Sequence, residues 1–538
     1  MAVNLKDTTL QVILAFWCVV LLGVPFWWKT TNVYRAHLPY HDIDTWQTRN
    51  ASTFQLPTTI NIHVPRVSLQ LPHLEEKLMQ AFQSPCATFP LAVQWKVMDV
   101  SAPDDDSTLD QPSNTTVGQY NFYIDTSVSQ GPVQVQMGSD RKCFIRLHTD
   151  ADPAILDQTL SSLIPAMFQP EFQSLNDIAC SSNQADKYNA NSMRTFKYSS
   201  KYQITFSLMN NNPQSVSVEW EIRQAINSYL TPLLHELSDL SNFTVDSQIQ
   251  NYAPLSQTPH FKERANLPSY FYFNPEQLSH FVNTADWNLA SSISLYPIIN
   301  FILYIPSADE TPLRIHDTHG QPLLSNAFLI PRWGGVNVKN PPKSALDLGR
   351  FTITRADLQP IMKIFVSQLR SLMGIQDATA STVAALPPSI NMTFTLAPHT
   401  GVTTFEKDNL VRRRTMENVI NAIATLRSLS QLVLEIPNMV VLDHIQEQVH
   451  QSLACIHSVQ EALAQGAYDQ ALASSSQAIE LSEKAFFDPT MVSMLYFPDE
   501  HKYAIYMPLF VPISVPLVMA IVKTLKQWKS SAQKTKTE

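Results

Sequence analysis

Two imidazoles and a carboxylate lie within four residues at His316-Asp317-Thr318-His319, the best candidate for a metal site in the chain. Such a cluster holds a divalent cation when a further, suitably spaced ligand completes it. None follows, and Gly320 comes next, so the segment reads as a solvated turn in preference to a metal site. Asp104-Asp105-Asp106 offers carboxylates to calcium, yet the alternating ligand spacing and central glycine of an EF-hand are missing, which leaves a flexible acidic loop. Cys455 and His457 are two residues apart. On a helix that spacing turns them ~200° from each other, so Cys455 reads as a small buried apolar residue and not as a nucleophile. Neither GxSxG nor HExxH occurs, nor do the cysteine signatures of papain-like and caspase-like proteases. Glycine numbers only 11 in 538 residues. Phosphate-cradling loops need glycines for backbone approach, and both GxGxxG and GxxxxGKS/T are absent, so nucleotide-dependent chemistry has no support. No catalytic, cofactor-binding or metal set emerges. The side chains with an assignable chemistry are instead the acceptors of four glycosylation triplets, at Asn50, Asn114, Asn242 and Asn391.

Those triplets matter only on the far side of a membrane, and the ends of the chain supply one. No charged residue occurs from Thr8 to Trp28, or from Tyr503 to Val522. About 20 residues of helix, rising ~1.5 Å each, cross a hydrocarbon core ~30 Å thick. The first run is longer than a usual signal-peptide core and lacks a clean small-x-small cleavage site, so it reads as a signal anchor. The second is followed by mostly polar residues through Glu538, unlike a GPI-attachment signal, which ends on its apolar tail. Lys523, Lys526, Lys529, Lys534 and Lys536 place that tail in the cytosol. The expected layout is residues 1–7 cytosolic, 8–28 a first span, 29–502 luminal, 503–522 a second span and 523–538 a basic cytosolic tail.

Pro508, Pro512 and Pro516 recur every four residues in the second run. Each step advances ~40° around a helix, so the three rings share one ~80° face. Every proline removes a donor that hydrocarbon cannot replace, which marks this sector as a candidate intramembrane contact face.

Removing Lys6 and the five tail lysines from 37 basic residues, and Asp7 and Glu538 from 46 acidic ones, leaves 31 against 44, a net of −13 for the luminal body. Nucleic acid is therefore not an expected partner. A body of this length holds two or three domains. Cys86, Cys143, Cys180 and Cys455 lie in it with three full pairings open, at spacings too wide for a CxxC site.

The patterning implies an α/β luminal body of mixed sheets covered by helices over 29–354, with a possible break near 170–200, then a helical bundle over 355–502. Strands are expected at Ile60–Leu69, Leu91–Val100, Tyr120–Asp125, Val133–Met137, Cys143–His148, Tyr202–Met209, Phe243–Tyr252, within Leu295–Ile305 and at Ala327–Arg332. Helices are expected at Pro72–Gln83, from an Asp152 cap through Phe168, and at Ser217–Leu240. Met416 to Leu429 and Leu442 to Leu463 carry apolar residues every three or four positions, with Gly466 as a stop, and Ala467–Phe487 supplies a further helix. The stalk from Trp27 to Trp46 has the aromatics of a membrane interface.

The segment Leu22-Gly-Val-Pro-Phe-Trp-Trp-Lys-Thr-Thr31, with Tyr34-Arg-Ala and Leu38-Pro-Tyr40, resembles the first-span junction of the PIG-S family. Ile299-Asn-Phe-Ile-Leu-Tyr-Ile-Pro306 and Asn326-Ala-Phe-Leu-Ile-Pro-Arg-Trp-Gly-Gly335 resemble its central luminal motifs. The resemblance covers essentially the full chain. It implies a non-catalytic subunit of the glycosylphosphatidylinositol (GPI) transamidase complex of the endoplasmic reticulum membrane, which replaces a C-terminal propeptide with a preassembled anchor. The partners implied are the other subunits, including a separate caspase-like catalytic one, and the membrane, with GPI lipid and proprotein as further candidates. No cofactor is implied and no catalytic residue carries over. Trp333-Gly-Gly reads as a tight turn with a packed indole. The competing readings are a luminal lipid- or proprotein-binding module and an independent luminal hydrolase.

Overall fold

The computed structural model describes residues 4–31, 34–48, 54–83, 89–97, 116–128, 132–148, 152–180, 195–264, 268–282, 287, 289, 296–395, 397, 399–436, 439–493 and 499–534. The chain opens with helices α1 (Asn4–Thr31) and α2 (Tyr40–Thr48). A first α/β run follows: β1 (Thr58–Val64), α3 (Leu74–Ala81), β2 (Leu91–Val97), β3 (Gln119–Val128), β4 (Val133–Met137), β5 (Lys142–His148) and α4 (Pro153–Cys180). The next contains β6 (Lys201–Asn210), β7 (Ser217–Trp220), α5 (Ile222–Ala225), α6 (Thr231–Glu236), β8 (Asn242–Asn251), β9 (His260–Lys262) and β10 (Tyr270–Phe273). It continues through β11 (Ile298–Ile305), β12 (Leu313–Ile315), β13 (Ala327–Ile330), β14 (Gly334–Val338), α7 (Lys343–Leu348) and β15 (Arg350–Ile353). The remainder is α8 (Arg355–Met373), α9 (Ala378–Ala385), β16 (Ile390–Phe394), α10 (Thr404–Glu435), α11 (Asp443–Ala464), α12 (Tyr468–Phe486), α13 (Pro489–Ser493) and α14 (Asp499–Lys534).

Two compact units emerge. One contains Met1–Thr48, Ala422–Ala454 and Ile479–Glu538; the other contains Arg49–Asn421 and Cys455–Ala478. Helices α10, α11 and α12 each contribute residues to both.

The larger unit holds two main sheets. The first has order β16-β4-β5-β3-β1-β2, parallel except where β4 meets β5. Ile60, Ile62 and Val64 alternate onto one face beside Tyr120, Phe122 and Ile124, and Leu156, Leu160, Leu163 and Met167 of α4 bury against them. The second has order β13-β14-β11-β6-β8, parallel except for the β13–β14 hairpin. Its central strands β6 and β11 are buried on both faces, the reason that Ile298–Ile305 is an unbroken apolar run. Two small sheets, β12-β10-β9 and β15-β7, complete the unit.

Three expectations need correction. Ser217–Trp220 is a strand paired with β15, not the start of a helix. Val218 is buried while Ser217 and Glu219 are exposed, so the residues follow a period of two, and helix begins only at Ile222. Helix α4 does not stop near Phe168 but continues over Pro165 and Pro170 to Cys180, because Phe172 and Leu175 are buried beyond the prolines and offset the lost bonds. Finally, β16 lies within the stretch read as helical and pairs with β4 of the first sheet.

What binds these layers is the first half of α10. Arg412 is fully buried, donating to Glu171 Oε2 of α4 at 2.6 Å, to the Tyr120 hydroxyl of β3 at 3.1 Å and to Thr58 Oγ1 of β1 at 3.1 Å. The Tyr120 hydroxyl in turn donates to Asp408 Oδ2 at 3.2 Å, and Arg141 grips that carboxylate with two bonds of 2.6 Å. With its amide nitrogen turned toward Glu171, Asn409 donates to the same carboxylate at 2.8 Å. The rings of Tyr120 and Tyr468 flank the Arg412 guanidinium. Arg413 and Arg414 reach the other way: they donate to the carbonyls of Gly374 (3.4 Å), Met373 (2.8 Å) and Phe196 (3.2 Å) and share Glu417. Met373 ends α8, so its C-terminal carbonyls receive cations where the helix dipole favours them. Arg370, in the last turn of α8, returns the contact to Glu406 at 2.6 Å.

Truncating one partner of the Arg412–Glu171 pair leaves a buried, unmatched charge. We expect Arg412→Met to lower stability by about 3–5 kcal/mol, and Arg412→Met with Glu171→Leu to recover part of the loss, as read by denaturant unfolding of the purified protein. A second expectation concerns acid. Burial pushes the Glu417 carboxyl up, but Arg414 and Arg413 outweigh it and hold it below its ordinary 4.5. The folded state therefore binds fewer protons than the unfolded chain, so this carboxylate stabilises above about 4.5 and the contribution is lost as pH falls through the lower folded value. Glu417→Gln should lower the unfolding temperature at neutral pH and flatten its decline in acid, measured by a thermal-shift series down to about pH 3.

Candidate functional site

The segment Asn326–Gly335 builds a hairpin whose side chains each have a mechanical task. Asn326 adopts φ 47° and uses its amide as a three-way clamp: Nδ2 donates to the carbonyls of Leu313 (3.0 Å) and Val338 (2.9 Å), and Oδ1 accepts from the Ile315 N–H (2.9 Å). That clamp attaches β12 to the second sheet. Pro331 and Arg332 form the turn, Arg332 taking φ 55°. Trp333 packs half-buried on the core around Phe281, Trp287 and Tyr304, while its carbonyl accepts from Asn300 N–H at 3.0 Å. Gly334 pairs with Asn300 so closely that an added Cβ would stand 1.8 Å from the Asn300 carbonyl oxygen. At Gly335 a Cβ would stand 1.9 Å from Gln368 Oε1 on α8, whose Nε2 donates to the Phe328 carbonyl at 2.9 Å. The two glycines are thus the space into which β11 and α8 settle. The packed indole read from the sequence is present, but the turn lies at Pro331–Trp333, and Gly334 and Gly335 are the first residues of β14, where close approach to neighbours requires them.

At His316-Asp317-Thr318-His319 the donors do not converge. His316 is buried, its ring stacked on Tyr272 with centroids 4.2 Å apart and its Nε2 3.1 Å from the Tyr270 hydroxyl. Burial, with Lys262 nearby, holds this imidazole below its usual range and hence neutral. Asp317 Oδ1 accepts from the N–H groups of His319 and Gln321, both at 2.8 Å, and these backbone bonds hold its carboxyl below the ordinary value. The carboxylate shapes the turn before Gly320. Among the described residues no three metal-ligating side chains cluster.

Cys143 is buried and Cys455 half-buried, each pushed up by burial, and neither forms a disulfide. Raised thiols are poor nucleophiles. Cys86 and the Cys180 side chain lie outside the described residues, as do Asp104, Asp105, Asp106, Asn50 and Asn114. Asn242 opens β8 and Asn391 lies in the sheet-edge strand β16; both are exposed.

The uncharged runs at the two ends fall in α1 and α14, which touch within the smaller unit. Helix α14 continues through Pro508, Pro512 and Pro516 without interruption, and Ile505, Phe510, Ile513, Val515, Val518 and Met519 along it are exposed. Among the described residues, no helix is long and apolar enough to cross a membrane; several side chains of both runs lie outside that description. The stalk after α1 is not an aromatic interface zone throughout, since Trp46 is buried with Leu38 and Ile43. Tyr34 donates to Asp443, Arg35 to the Val433 carbonyl, the Ala36 N–H to the Val441 carbonyl at 2.8 Å and Gln446 to the His37 carbonyl at 2.7 Å.

Residues 14–531 match the family described as "PIG-S: Phosphatidylinositol-glycan biosynthesis class S protein". The chain belongs to the PIG-S family. It is 33% identical to the rat and human proteins named "GPI-anchor transamidase component PIGS", over 95% of this chain and 94% of each relative. It is 28% identical to the Schizosaccharomyces pombe "GPI transamidase component PIG-S homolog", over 97% of this chain and 84% of that protein. The PIG-S match starts within α1 and ends within α14, so the terminal helices share in the relationship along with the body between them.

Sequence reading missed Arg412-Arg413-Arg414. The available signal was the burial their neighbours demand: Leu410, Val411, Met416 and Val419 surround three consecutive cations, an odd composition for a solvated face. For the PIG-S hairpin we expect Gly335→Ala to destabilise the larger unit, seen as faster limited proteolysis, and Gln368→Ala added to it to restore resistance in part by vacating the clash.

Proposed function

We propose that this chain is a non-catalytic component of the GPI transamidase complex, anchored in the endoplasmic reticulum membrane by α1 and α14 with both termini cytosolic and the body between them luminal. The observation that carries this reading is the relationship to proteins of that name along nearly the whole length of chain and relatives alike. A component with a different role would be expected to share a domain and diverge elsewhere.

The most deeply buried ionisable groups among the described residues are engaged in structure. The arginines and carboxylates with the deepest burial bond to one another and to backbone carbonyls, His316 is stacked and bonded, and the described luminal thiols are raised by burial. None of these groups is poised as a nucleophile held against a base. The working partners are then the other subunits, a caspase-like catalytic one among them, and the bilayer. The Pro508/Pro512/Pro516 sector of α14 is the contact face within it: three successive turns lack a donor on one side, and hydrocarbon supplies none. In this layout Asn242 and Asn391 are luminal, exposed and open to glycosylation.

Depletion of the protein should cause uncleaved proprotein to accumulate from a reporter bearing a GPI-attachment signal, and the tagged chain should recover a caspase-like subunit in mild detergent. Normal anchoring with a solitary chain would sink the proposal. Replacing all three α14 prolines by Leu should weaken that recovery while leaving the luminal body protease-resistant.

A further inference from the structure

Strand β8 forms one edge of the second sheet, paired with β6 along ten residues in unbroken parallel register from Lys201↔Asn242 to Asn210↔Asn251. The Asn242 N–H bonds the Ser200 carbonyl, which fixes the parity of the ladder: residues 242, 244, 246, 248 and 250 turn their backbone toward β6. Phe243, Val245, Ser247 and Ile249 therefore turn their N–H and C=O groups outward, and among the described residues no backbone bond outside the ladder reaches them. Among the described residues, no strand pairs with this outer edge. The strand NFTVDSQIQN has no proline and no bulge. Its one charge, Asp246, is engaged by Gln203 Nε2 at 2.7 Å.

A row of outward donors and acceptors two residues apart is matched by an extended backbone and by little else. The exposed side chains along it are mainly polar, namely Asn242, Thr244, Asp246, Ser247 and Asn251, with Ile249 the apolar exception. A permanent subunit interface would be expected to present an apolar strip. A polar edge that binds through backbone alone suits peptides that come and go and differ in sequence. Ten residues at ~3.3 Å each span ~33 Å, and the polar spacer of a GPI-attachment signal is about 8–12 residues long.

We propose that the outer edge of β8 receives, as an added strand, the extended polar spacer of a proprotein's GPI-attachment signal. This rests on the reading of the chain as a transamidase component, and it adds to that reading the segment of substrate held and the atoms that hold it. Binding is through main-chain bonds at Phe243, Val245, Ser247 and Ile249, so it tolerates variation in the spacer's side chains and rejects proline.

The test uses the full chain in its own microsomes. A photoreactive benzoylphenylalanine at position 247 should crosslink to a radiolabelled proprotein within its spacer, and a spacer made rich in proline should abolish the adduct. Ser247→Pro removes one outward donor without touching the ladder to β6 and should slow anchor attachment about fivefold, whereas Ser247→Ala should leave it unchanged. Co-purification of the other subunits with Ser247→Pro confirms assembly. An adduct to another subunit in place of proprotein, or normal anchoring by an assembled Ser247→Pro complex, overturns the proposal alone. A chain that neither co-purifies with a transamidase nor affects the reporter on depletion overturns it together with the functional reading beneath it.

Discussion

A guanidinium cannot shed its charge on burial, and that constraint organises the larger unit. Arg412 sits fully enclosed because Glu171, Tyr120 and Thr58 come to it from three elements of the first α/β run. On its own, burial would lower this arginine; the Glu171 carboxylate and the surrounding tyrosines hold it above its ordinary value. Its two neighbours bond the carbonyls at the end of α8, which packs on the second sheet, and at Phe196, shortly before β6 opens the second run. One tripeptide on one helix thus satisfies obligations on both sides. Neither run can place its helices and strands independently of α10, since withdrawal of α10 would strand Glu171 on one side and helix-terminal carbonyls on the other. Buried ion pairs of this kind often contribute little net stability over an apolar replacement. Their effect is to make alternative placements of α10 costly, because a shift of one turn would leave several charges unmatched at once.

The scarcity of glycine sharpens the meaning of those present. Gly334 and Gly335 occupy consecutive positions where a carbonyl oxygen and a side-chain amide already fill the Cβ sites. Gly118 shows the same logic at φ 84°, with the Tyr468 ring against the site of its missing Cβ, while the Tyr468 hydroxyl donates to the Pro57 carbonyl at 2.7 Å. In a chain that otherwise avoids glycine, these are close approaches between layers, so the resemblance carried by Trp333-Gly334-Gly335 reports packing and not reaction chemistry.

Local patterning made much of the α/β body legible. Val133–Met137 alternates and is a strand over those bounds, and the apolar stripe from Leu442 to Leu463 is a helix that ends before Gly466 in the left-handed conformation. What failed to show was pairing over long sequence separation. Nothing near Ile390 announces that its five residues join β4, more than 250 positions earlier, because parallel register is set by tertiary contacts. Ser217–Trp220 is too short for its alternation to compete with the helical pattern that follows it. The arginine tripeptide was hidden for a different reason: single-residue expectation places cations on a solvated face, and only the partners supplied by distant elements reverse it. As for the candidate metal segment, the side chains were visible but their directions were not. Asp317 turns back to its own loop and His316 turns inward onto Tyr272.

Two stretches of incompletely bonded backbone stand apart from the buried charge cluster. Three prolines leave donors missing from one sector of α14, and four residues of β8 leave donors and acceptors unmatched along a sheet edge. These are different kinds of deficiency. In the membrane setting proposed for α14, the first would need close packing by neighbouring helices in a medium that supplies no hydrogen bonds, and so would suit a permanent contact. The second is already hydrated in water and gains only the difference between a peptide partner and solvent, about 1 kcal/mol per bond, which suits exchange. On the two proposals made above, a subunit with a fixed attachment and an exchangeable edge would be equipped to present substrate to chemistry carried elsewhere.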